Sequence, residues 1–299
     1  MIEVSNLTKK FDDYTALSSL NLHVADGSVY GLVGPNGSGK TTLIKHIVGA
    51  YIPDKGRVFV NGGPVFDNAA VKQGMVYIPD DLYFPPTFST LDMARLYSGI
   101  YHSFSWERFH SFEGLFQLDS KKRVAKLSKG MQKQAIFWIT ISCCPKIIIM
   151  DEPVDGLDPI MRRSVWSIVL KEVEENGVTV LVSSHNLREL EDVCDHVGIL
   201  YNGQMLLEKA LDEVKSDTFK LQAAFRGELP QELAQELNIL NHTVLGRVHT
   251  LILRGGREEI LETINMYDPV LADIIPLTLE EVFIYELGGK GYDFKNILL

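Results

Sequence analysis

The stretch Gly34-Pro35-Asn36-Gly37-Ser38-Gly39-Lys40-Thr41-Thr42 decides how the rest of this sequence is interpreted. It fits the pattern G-x-x-x-x-G-K-[ST] of a phosphate-binding loop, or P-loop. The apolar run before it, at 28–33, predicts a buried strand, and the run from 42 to 49 predicts a helix that ends at a glycine. Strand, glycine loop and helix in this order are the context that the pattern requires, whereas the alternative is a glycine-rich turn that binds nothing.

The residue types of this loop suit a bound triphosphate. Glycines let the backbone curl so that its N–H groups point at phosphate oxygens, and the helix N-terminus adds the positive end of its dipole. Lys40 is expected to reach the β- and γ-phosphates, and the hydroxyl of Thr41 is expected to ligate Mg²⁺. The residues predicted to bind ATP here are Gly34, Asn36, Gly37, Ser38, Gly39, Lys40, Thr41 and Thr42.

Composition limits the class of protein. A length of 299 residues allows one large domain, or one domain with a smaller companion, and 45% hydrophobic with 23% charged residues is ordinary for a globular protein. The formal charge of −10 argues against nucleic acid as a partner. Three cysteines without C-x-x-C spacing indicate a reduced, cytosolic setting. With neither a signal peptide nor an apolar run of ~18 residues, we expect any action at a membrane to require a partner.

The order of the remaining segments predicts the fold class. Alternating segments at 2–5 and 21–24 predict short strands, and continuous apolar runs at 75–78, 147–150 and 178–182 predict a mostly parallel sheet buried on both faces. Residues 90–142 are expected to be mostly helical, with Ser89 or Thr90 as one cap and Ser105 as another. Between the first two strands, Phe11 and Tyr14 are candidates to stack on an adenine ring, or else they belong to a small core.

The segment 147–152 ends its apolar strand in Asp151 and Glu152. Such a strand commonly accompanies a P-loop, because its carboxylate holds the Mg²⁺ of the bound triphosphate. Asp151 is therefore the predicted metal ligand. Glu152, one residue further, is predicted to deprotonate the attacking water. Alone, an Asp-Glu pair after a strand is more often a solvated loop, and the P-loop favours the functional interpretation.

Three more stretches resemble one family. Leu127-Ser128-Lys129-Gly130-Met131-Gln132 is similar to the L-S-G-G-Q signature of ABC ATPases, 153–159 resembles their D-loop, and Ser183-Ser184-His185 resembles their switch histidine. The order and spacing of P-loop, signature, Asp-Glu, G-L-D and S-S-H agree with that family over about residues 1–210. The fold thus implied is α/β: a P-loop NTPase of the ABC cassette type, with a mixed sheet core and a helical signature subdomain at about 85–142.

The resemblance implies further roles. Ser128 and Gly130 would serve the γ-phosphate bound to an opposite subunit, Asp158 would lie at the dimer seam, and His185 would contact the γ-phosphate. Local physics alone leaves other interpretations open, because Ser128 also suits a helix cap and a histidine after a strand is often structural. The implied partners are a second ATPase subunit, in a homo- or heterodimer, and an integral membrane transporter subunit.

Two positions depart from the family pattern. Asp80 stands where a glutamine that touches both Mg²⁺ and the membrane partner is usual, and as a carboxylate it is expected to ligate the ion. Lys129-Gly130-Met131 stands where G-G-Q is usual, while Ser128 and Gly130 are retained. Sequences of the S-K-G-M type resemble the ATPase subunits of bacterial exporters more than those of importers.

The character of the chain changes past residue 215. The order β-α-β-β-α-β-α, which ends in a helix predicted from Thr278 to Leu287, suggests a small C-terminal α+β appendage at 216–299 beside an ATP-binding domain at 1–215. It contains no catalytic constellation, so a packing or dimer-stabilising role is favoured over partner docking.

The function expected from the sequence is that of an ATP-binding and hydrolysing subunit at the inner face of the cell membrane, which powers a separate transporter of the exporter kind. The alternatives are a soluble ABC ATPase that acts on ribosomes or DNA, and an ATP-binding regulatory module that hydrolyses poorly.

Overall fold

The computed structural model describes residues 1–216, 218–226, 229–275 and 277–281. Up to residue 210 the strands are β1 (Ile2–Phe11), β2 (Tyr14–Val24), β3 (Val29–Val33), β4 (Lys55–Val60), β5 (Gly63–Pro64), β6 (Met75–Ile78), β7 (Ile147–Asp151), β8 (Thr179–Ser184), β9 (His196–Tyr201) and β10 (Gln204–Ala210). The helices are α1 (Lys40–Ile47), α2 (Ala69–Lys72), α3 (Thr90–Ile100), α4 (Trp106–Ser111), α5 (Glu113–Phe116), α6 (Lys129–Ser142), α7 (Pro159–Asn176) and α8 (Leu187–Glu191), with a 3₁₀ turn at Val124–Lys126.

A six-stranded sheet in the order β10-β9-β3-β8-β7-β6 carries the residues of interest. The pairs β3–β8, β3–β9, β7–β8 and β6–β7 are parallel, as the continuous apolar runs predict. Strands β3, β7 and β8 are buried along their whole length. Because the strands are parallel, the carboxyl ends of β3, β6, β7 and β8 lie along one edge of the sheet, which gathers the P-loop, Asp80, Asp151 and His185 there.

A second sheet is antiparallel, in the order β2-β1-β4-β5. The sequence predicts only short strands here, yet β1 and β2 form a hairpin that spans residues 2–24. Register shifts break the pairing between Val4 and Leu7, and Asn6 and Ser19 adopt positive φ angles. These irregularities interrupt the two-residue alternation, so the sequence pattern hides the middle of the hairpin. Leucines, valines and isoleucines of this sheet pack with α1 and the parallel sheet into one core.

Helices dominate residues 90–142, as predicted. Ser89 caps α3 in a capping box with Asp92, and Ser105 caps α4. The rings of Phe109 and Trp138 stack with centroids 4.4 Å apart, and Trp138 Nε1 donates to the carbonyl of Phe109 at 2.6 Å. These contacts pack α4 against the C-terminal half of α6, the helix whose N-terminal turn holds the signature residues.

The chain divides into two compact units. The first comprises residues 1–185 and 193–208, and the second comprises residues 186–192 and the described chain from 209 onward. The domain boundary predicted at 215/216 stays a prediction. None of the helices in the described ranges is both long and apolar enough to cross a membrane.

The second unit has the predicted element order. Its elements past α8 are α9 (Leu211–Ser216), β11 (Thr218–Ala224), α10 (Gln231–Glu236), β12 (Ile239–Leu245), β13 (Val248–Arg254), α11 (Arg257–Asn265) and β14 (Leu271–Ile275), and the strands form an antiparallel sheet in the order β12-β13-β11-β14. Thr278 Oγ1 accepts from the N–H of Glu281 at 3.2 Å, as the predicted cap requires. The rest of the helix predicted up to Leu287 lies outside the described residues.

Candidate active site

The loop between β3 and α1 forms a tight cradle of backbone. Gly37 has φ 80° and Gly39 has φ 111°, both in the left-handed region that other residues rarely adopt. A Cβ atom at Gly34 would lie 2.2 Å from the carbonyl oxygen of Leu200, and one at Gly39 would lie 2.9 Å from that of Ala16. The glycines are therefore required both by conformation and by space, which agrees with a loop whose N–H groups surround a phosphate.

Lys40 begins α1 and is buried. Its Nζ donates to the carbonyl oxygens of Gly34 at 2.5 Å and Pro35 at 3.3 Å, and it lies 3.7 Å from Glu152 Oε1. Burial lowers the pKa of Lys40, while the charges of Glu152 and Asp151 act in the opposite direction. The ammonium group is thus held over the cradle beside the predicted base.

Asp151 ends β7 and is almost fully buried. The hydroxyl of Thr41 donates to its Oδ2 at 2.7 Å, and the hydroxyl of Ser183, at the end of β8, donates to its Oδ1. The hydroxyl of Thr41 and the carboxylate therefore lie next to each other, as two ligands of one hard cation do.

Glu152 follows Asp151, and its carboxylate faces the side chains of Lys40 and His185. Oε1 faces Lys40, and Oε2 lies 2.9 Å from Nδ1 of His185 and accepts from the His185 N–H at 3.3 Å. The side chain of Glu152 is 13% exposed and that of His185 is 52% exposed. His185 thus touches the predicted base and extends from it toward solvent.

A cleft of about 270 Å³ contains most of the predicted residues. Its lining comprises Tyr14, Ala16, Pro35, Asn36, Gly37, Gly39, Lys40, Thr41, Thr42, Asp80, Asp151 and Glu152. The charged groups in this lining are three carboxylates and one ammonium, so a triphosphate would meet net negative charge without a divalent cation. A hydroxyl next to carboxylates is a donor set that Mg²⁺ accepts, so the cleft fits a nucleotide together with its metal.

The remaining predicted P-loop residues, Gly34 and Ser38, lie outside this lining and shape the loop from behind. Ser38 is buried, its N–H donates to the carbonyl of Pro35 at 3.1 Å, and its carbonyl accepts from Gly203 at 2.9 Å. These bonds close the turn that presents Gly37 and Gly39.

Of the two aromatic candidates for the adenine ring, Tyr14 lines the cleft and Phe11 does not. The hydroxyl of Tyr14 donates to the carbonyl of Gly37 at 3.4 Å, and its ring is exposed. The ring of Phe11 instead packs edge-on against Tyr51 at 5.7 Å, with Lys9 Nζ 5.4 Å from its centroid. Both rings are exposed, Phe11 at 40% and Tyr14 at 59%, and of the two only Tyr14 lines this cleft.

The signature and D-loop residues also lie outside the cleft of their own chain. Ser128 caps α6 and accepts from the N–H of Met131 at 3.3 Å, while Asp158 caps α7 and accepts from Ile160 and Met161 at 3.0 Å. A Cβ at Gly130 would lie 2.9 Å from the carbonyl of Gly156, so glycine lets these two segments meet. Their local roles are thus helix capping and close packing.

Asp80 and Lys133 form a pair that the sequence analysis does not predict. Asp80 lines the cleft with a side chain that is 61% exposed, and its Oδ1 lies 3.7 Å from Lys133 Nζ. The same Nζ donates to the carbonyl oxygen of Glu152 at 2.8 Å. The available signal is that Lys133 is the one charged residue in 130–142, a stretch that is otherwise uncharged.

The fold and the cleft define the class: this is a P-loop nucleotide-binding protein of mixed α/β architecture. The family model described as ABC transporter matches residues 17–155. The chain is 29% identical over 290 residues to the ABC transporter ATP-binding protein YtrB of Bacillus subtilis, covering 97% of this chain and 99% of the relative. It is 33% identical to the bacitracin transport ATP-binding protein BcrA of Enterococcus faecalis, over 72% of this chain and 70% of that protein.

Among solved structures, one described as an ATP binding subunit of an ABC transporter superposes with a TM-score of 0.68 at 27% identity, covering 72% of this chain and 92% of that one. The chain belongs to the family of ABC transporter ATP-binding proteins, and the predicted fold class is confirmed. It is an ATP-binding and ATP-hydrolysing transporter subunit.

Proposed function

We propose that this chain hydrolyses Mg²⁺-ATP in the cleft at the carboxyl edge of the parallel sheet and thereby drives a separate membrane transporter of the exporter kind. The observation that carries this proposal is the convergence of Lys40, Thr41, Asp151 and Glu152 on one cleft, with contacts between 2.7 and 3.7 Å. They supply a phosphate-binding cation, a metal-binding pair and a base, which is a complete set for phosphoryl transfer to water.

The P-loop binds the phosphates in this proposal. The N–H groups of Asn36, Gly37, Gly39, Thr41 and Thr42, in a turn shaped by Gly34 and Ser38, would bind the phosphates, and Lys40 would exchange its carbonyl partners for phosphate oxygens. Thr41, Asp151 and Asp80 would hold Mg²⁺, which when bound neutralises charge on the phosphate oxygens. Asp80 is the most exposed of these and also faces Lys133.

Glu152 acts as the general base. It accepts a proton from water as the water oxygen attacks the γ-phosphorus, the bond from that phosphorus to the bridging oxygen breaks, and ADP and phosphate leave. His185 orients the carboxylate of Glu152 through its Nδ1 contact, and its exposed ring is available to the γ-phosphate. This arrangement supports a catalytic role for both residues.

The site would be completed by a second ATPase subunit, identical or different. Ser128 caps α6 and Gly130 lies in its first turn, Asp158 caps α7, and none of the three lines the cleft of its own chain. A helix N-terminus with a hydroxyl suits an anion, so these residues are suited to the γ-phosphate of a partner. Phe11 or Tyr14 would contact the base of the nucleotide, with Tyr14 supported by its position in the cleft.

The proposal also includes a membrane subunit, which the chain would join at the cytoplasmic face of the cell membrane. The relatives include a bacitracin transport ATP-binding protein, which supports an exporter rather than an importer. Two alternatives remain as functions to test against: an ABC ATPase that acts on ribosomes or DNA, and a regulatory module that binds ATP without efficient hydrolysis.

ATP turnover by the purified full chain separates these functions. Phosphate release is measured with Mg²⁺, alone and with vesicles that contain the co-purifying membrane subunit, with ribosomes, or with duplex DNA. The proposal predicts Mg²⁺-dependent release that the vesicles stimulate and that Glu152→Gln abolishes, whereas Glu174→Gln, an exposed acid on α7, leaves it unchanged. Stimulation by ribosomes or DNA instead, or binding of ATP without turnover in any mixture, would contradict it.

A further inference from the structure

Lys133 has an unusual environment for a lysine. It lies in the second turn of α6, its side chain is 9% exposed, and no residue of the helix after it is charged. A buried ammonium group is costly unless its donors are satisfied, so its contacts must be specific ones. Neither the motifs nor the proposed mechanism gives this residue a role.

The ammonium group of Lys133 makes two contacts. Nζ donates to the carbonyl oxygen of Glu152 at 2.8 Å, and it lies 3.7 Å from Asp80 Oδ1. The first is a charge-assisted hydrogen bond of normal length, which is the stronger kind. The second contact is longer and involves a carboxylate that is 61% exposed, so it contributes little to the stability of the fold. Its effect is to orient the side chain of Lys133.

Glu152 needs such a contact because its backbone is strained. Its φ angle is 47°, in the left-handed region that a residue with a Cβ atom rarely adopts. Its N–H is held by Ser183, with the carbonyl and the hydroxyl both at 3.2 Å, and its C=O is held by Lys133. These bonds fix both backbone polar groups of Glu152, and therefore the direction in which its side chain leaves the main chain.

We propose that Lys133 is a positioning residue for Glu152, and that Asp80 sets the place of the Lys133 ammonium group. The inference rests on the proposed role of Glu152 as general base. Through Lys133, the strained backbone of Glu152 is kept in the conformation that brings its carboxylate to Lys40 and His185. Asp80 lines the ATP cleft as well, so the same pair connects the lining of the cleft to the backbone of the base.

The direct test separates kcat from KM in the full chain at saturating Mg²⁺. Lys133→Met keeps the length of the side chain and removes its hydrogen-bond donors. We expect kcat to fall roughly 10- to 100-fold, because a catalytic group that is displaced by up to about 1 Å loses this much activity. KM for ATP should change by less than about threefold, because the P-loop contacts remain. Lys133→Arg keeps a cationic donor and should recover most of kcat.

Lys171→Met is the matched control, because Lys171 also pairs with a carboxylate, that of Glu175 at 3.8 Å, but on the exposed face of α7. It should leave kcat and KM unchanged. Melting temperatures identify variants that are unfolded at the assay temperature. If Lys133→Met is one of these, Lys133→Gln, which keeps a polar side chain without the charge, takes its place in the assay.

The link to Asp80 is tested by a double-mutant cycle. Asp80→Asn removes the charge that directs Lys133 and should lower kcat about threefold at saturating Mg²⁺, a modest effect because the Lys133 bond to Glu152 remains. In the Lys133→Met background the same change should lower kcat by less than it does in the wild type, because only the contribution of Asp80 to the cleft itself remains. An equal loss in both backgrounds would show that Asp80 acts independently of Lys133 and would overturn this part of the inference.

The outcomes distinguish this inference from the proposed function. If the wild type hydrolyses ATP and Glu152→Gln does not, yet folded Lys133→Met keeps wild-type kcat or raises KM alone, the positioning role is wrong and the proposed function stands. If Glu152→Gln turns over ATP like the wild type, the proposed base is wrong and the inference fails with it. A loss of kcat in Lys133→Met that Lys133→Arg does not recover would also contradict the positioning role.

Discussion

Nδ1 of His185 lies 2.9 Å from Oε2 of Glu152, which links the end of β8 to the residue after β7. The two residues directly follow neighbouring parallel strands, so the pairing of those strands brings them together. Because Oε1 of the same carboxylate faces Lys40, the proposed base is held from two sides. This arrangement leads to distinct expectations for each of the surrounding residues.

Replacing His185 should slow the chemical step. His185→Ala removes one of the two contacts that orient the Glu152 carboxylate, and we expect ATP turnover to fall about 10-fold or more. Nucleotide affinity should change less than turnover, because the P-loop contacts to the nucleotide remain. Steady-state turnover and equilibrium ATP binding measure the two quantities, and a loss of affinity without a loss of turnover would argue against this role.

Replacing Lys40 should weaken binding instead. Lys40→Ala removes an ammonium group from the lining of the cleft, and we expect ATP affinity to fall by at least ~10-fold. Equilibrium binding of a fluorescent ATP analogue measures this affinity. An affinity equal to that of the wild type would mean that Lys40 does not contact the phosphates.

ATP binding should depend on Mg²⁺ more steeply than in a variant with glutamine at position 80, because residue 80 is a carboxylate. Asp80 repels a metal-free triphosphate and attracts a divalent ion. Asp80→Gln should therefore raise ATP affinity without Mg²⁺ and flatten the Mg²⁺ titration, with only a modest loss of turnover. If Asp80 interacts with Lys133 alone and not with the ion, the two titrations will coincide.

The composite site predicts a dependence on protein concentration. If Ser128 of one subunit serves the nucleotide of another, turnover per subunit should rise as the isolated protein is concentrated. Ser128→Arg should block closure and abolish this rise while ATP affinity stays nearly intact, since Ser128 is outside its own cleft. Constant turnover per subunit across a wide dilution series, in a protein shown to be monomeric, would be incompatible with a composite site.

Much of the fold and of the cleft could be predicted because the relevant signals are local. The P-loop pattern, the apolar strand before Asp151 and the caps at Ser89 and Ser105 each depend on residues adjacent in sequence. Parallel pairing then places strand ends along one edge, which explains why Thr41 and Asp151 meet although 110 positions apart.

Other features depended on contacts between segments that the sequence does not show. The sequence pattern underestimates the length of the hairpin β1–β2, since bulges near Asn6 and Ser19 break the alternation. The choice between Phe11 and Tyr14 depends on which ring faces the P-loop. The contact of Lys133 with Glu152 depends on the approach of α6 to the end of β7.

The most direct test of the central claim, that Glu152 is the base for ATP hydrolysis in this cleft, is the identity of the nucleotide that stays bound. The full chain and its Glu152→Gln variant are incubated with Mg²⁺ and ATP, freed of unbound nucleotide, and the bound nucleotide is separated and quantified. The variant should retain ATP, and its turnover should fall by about 10²-fold or more, whereas the wild type should retain ADP. ADP in the variant, formed as fast as in the wild type, would contradict the claim.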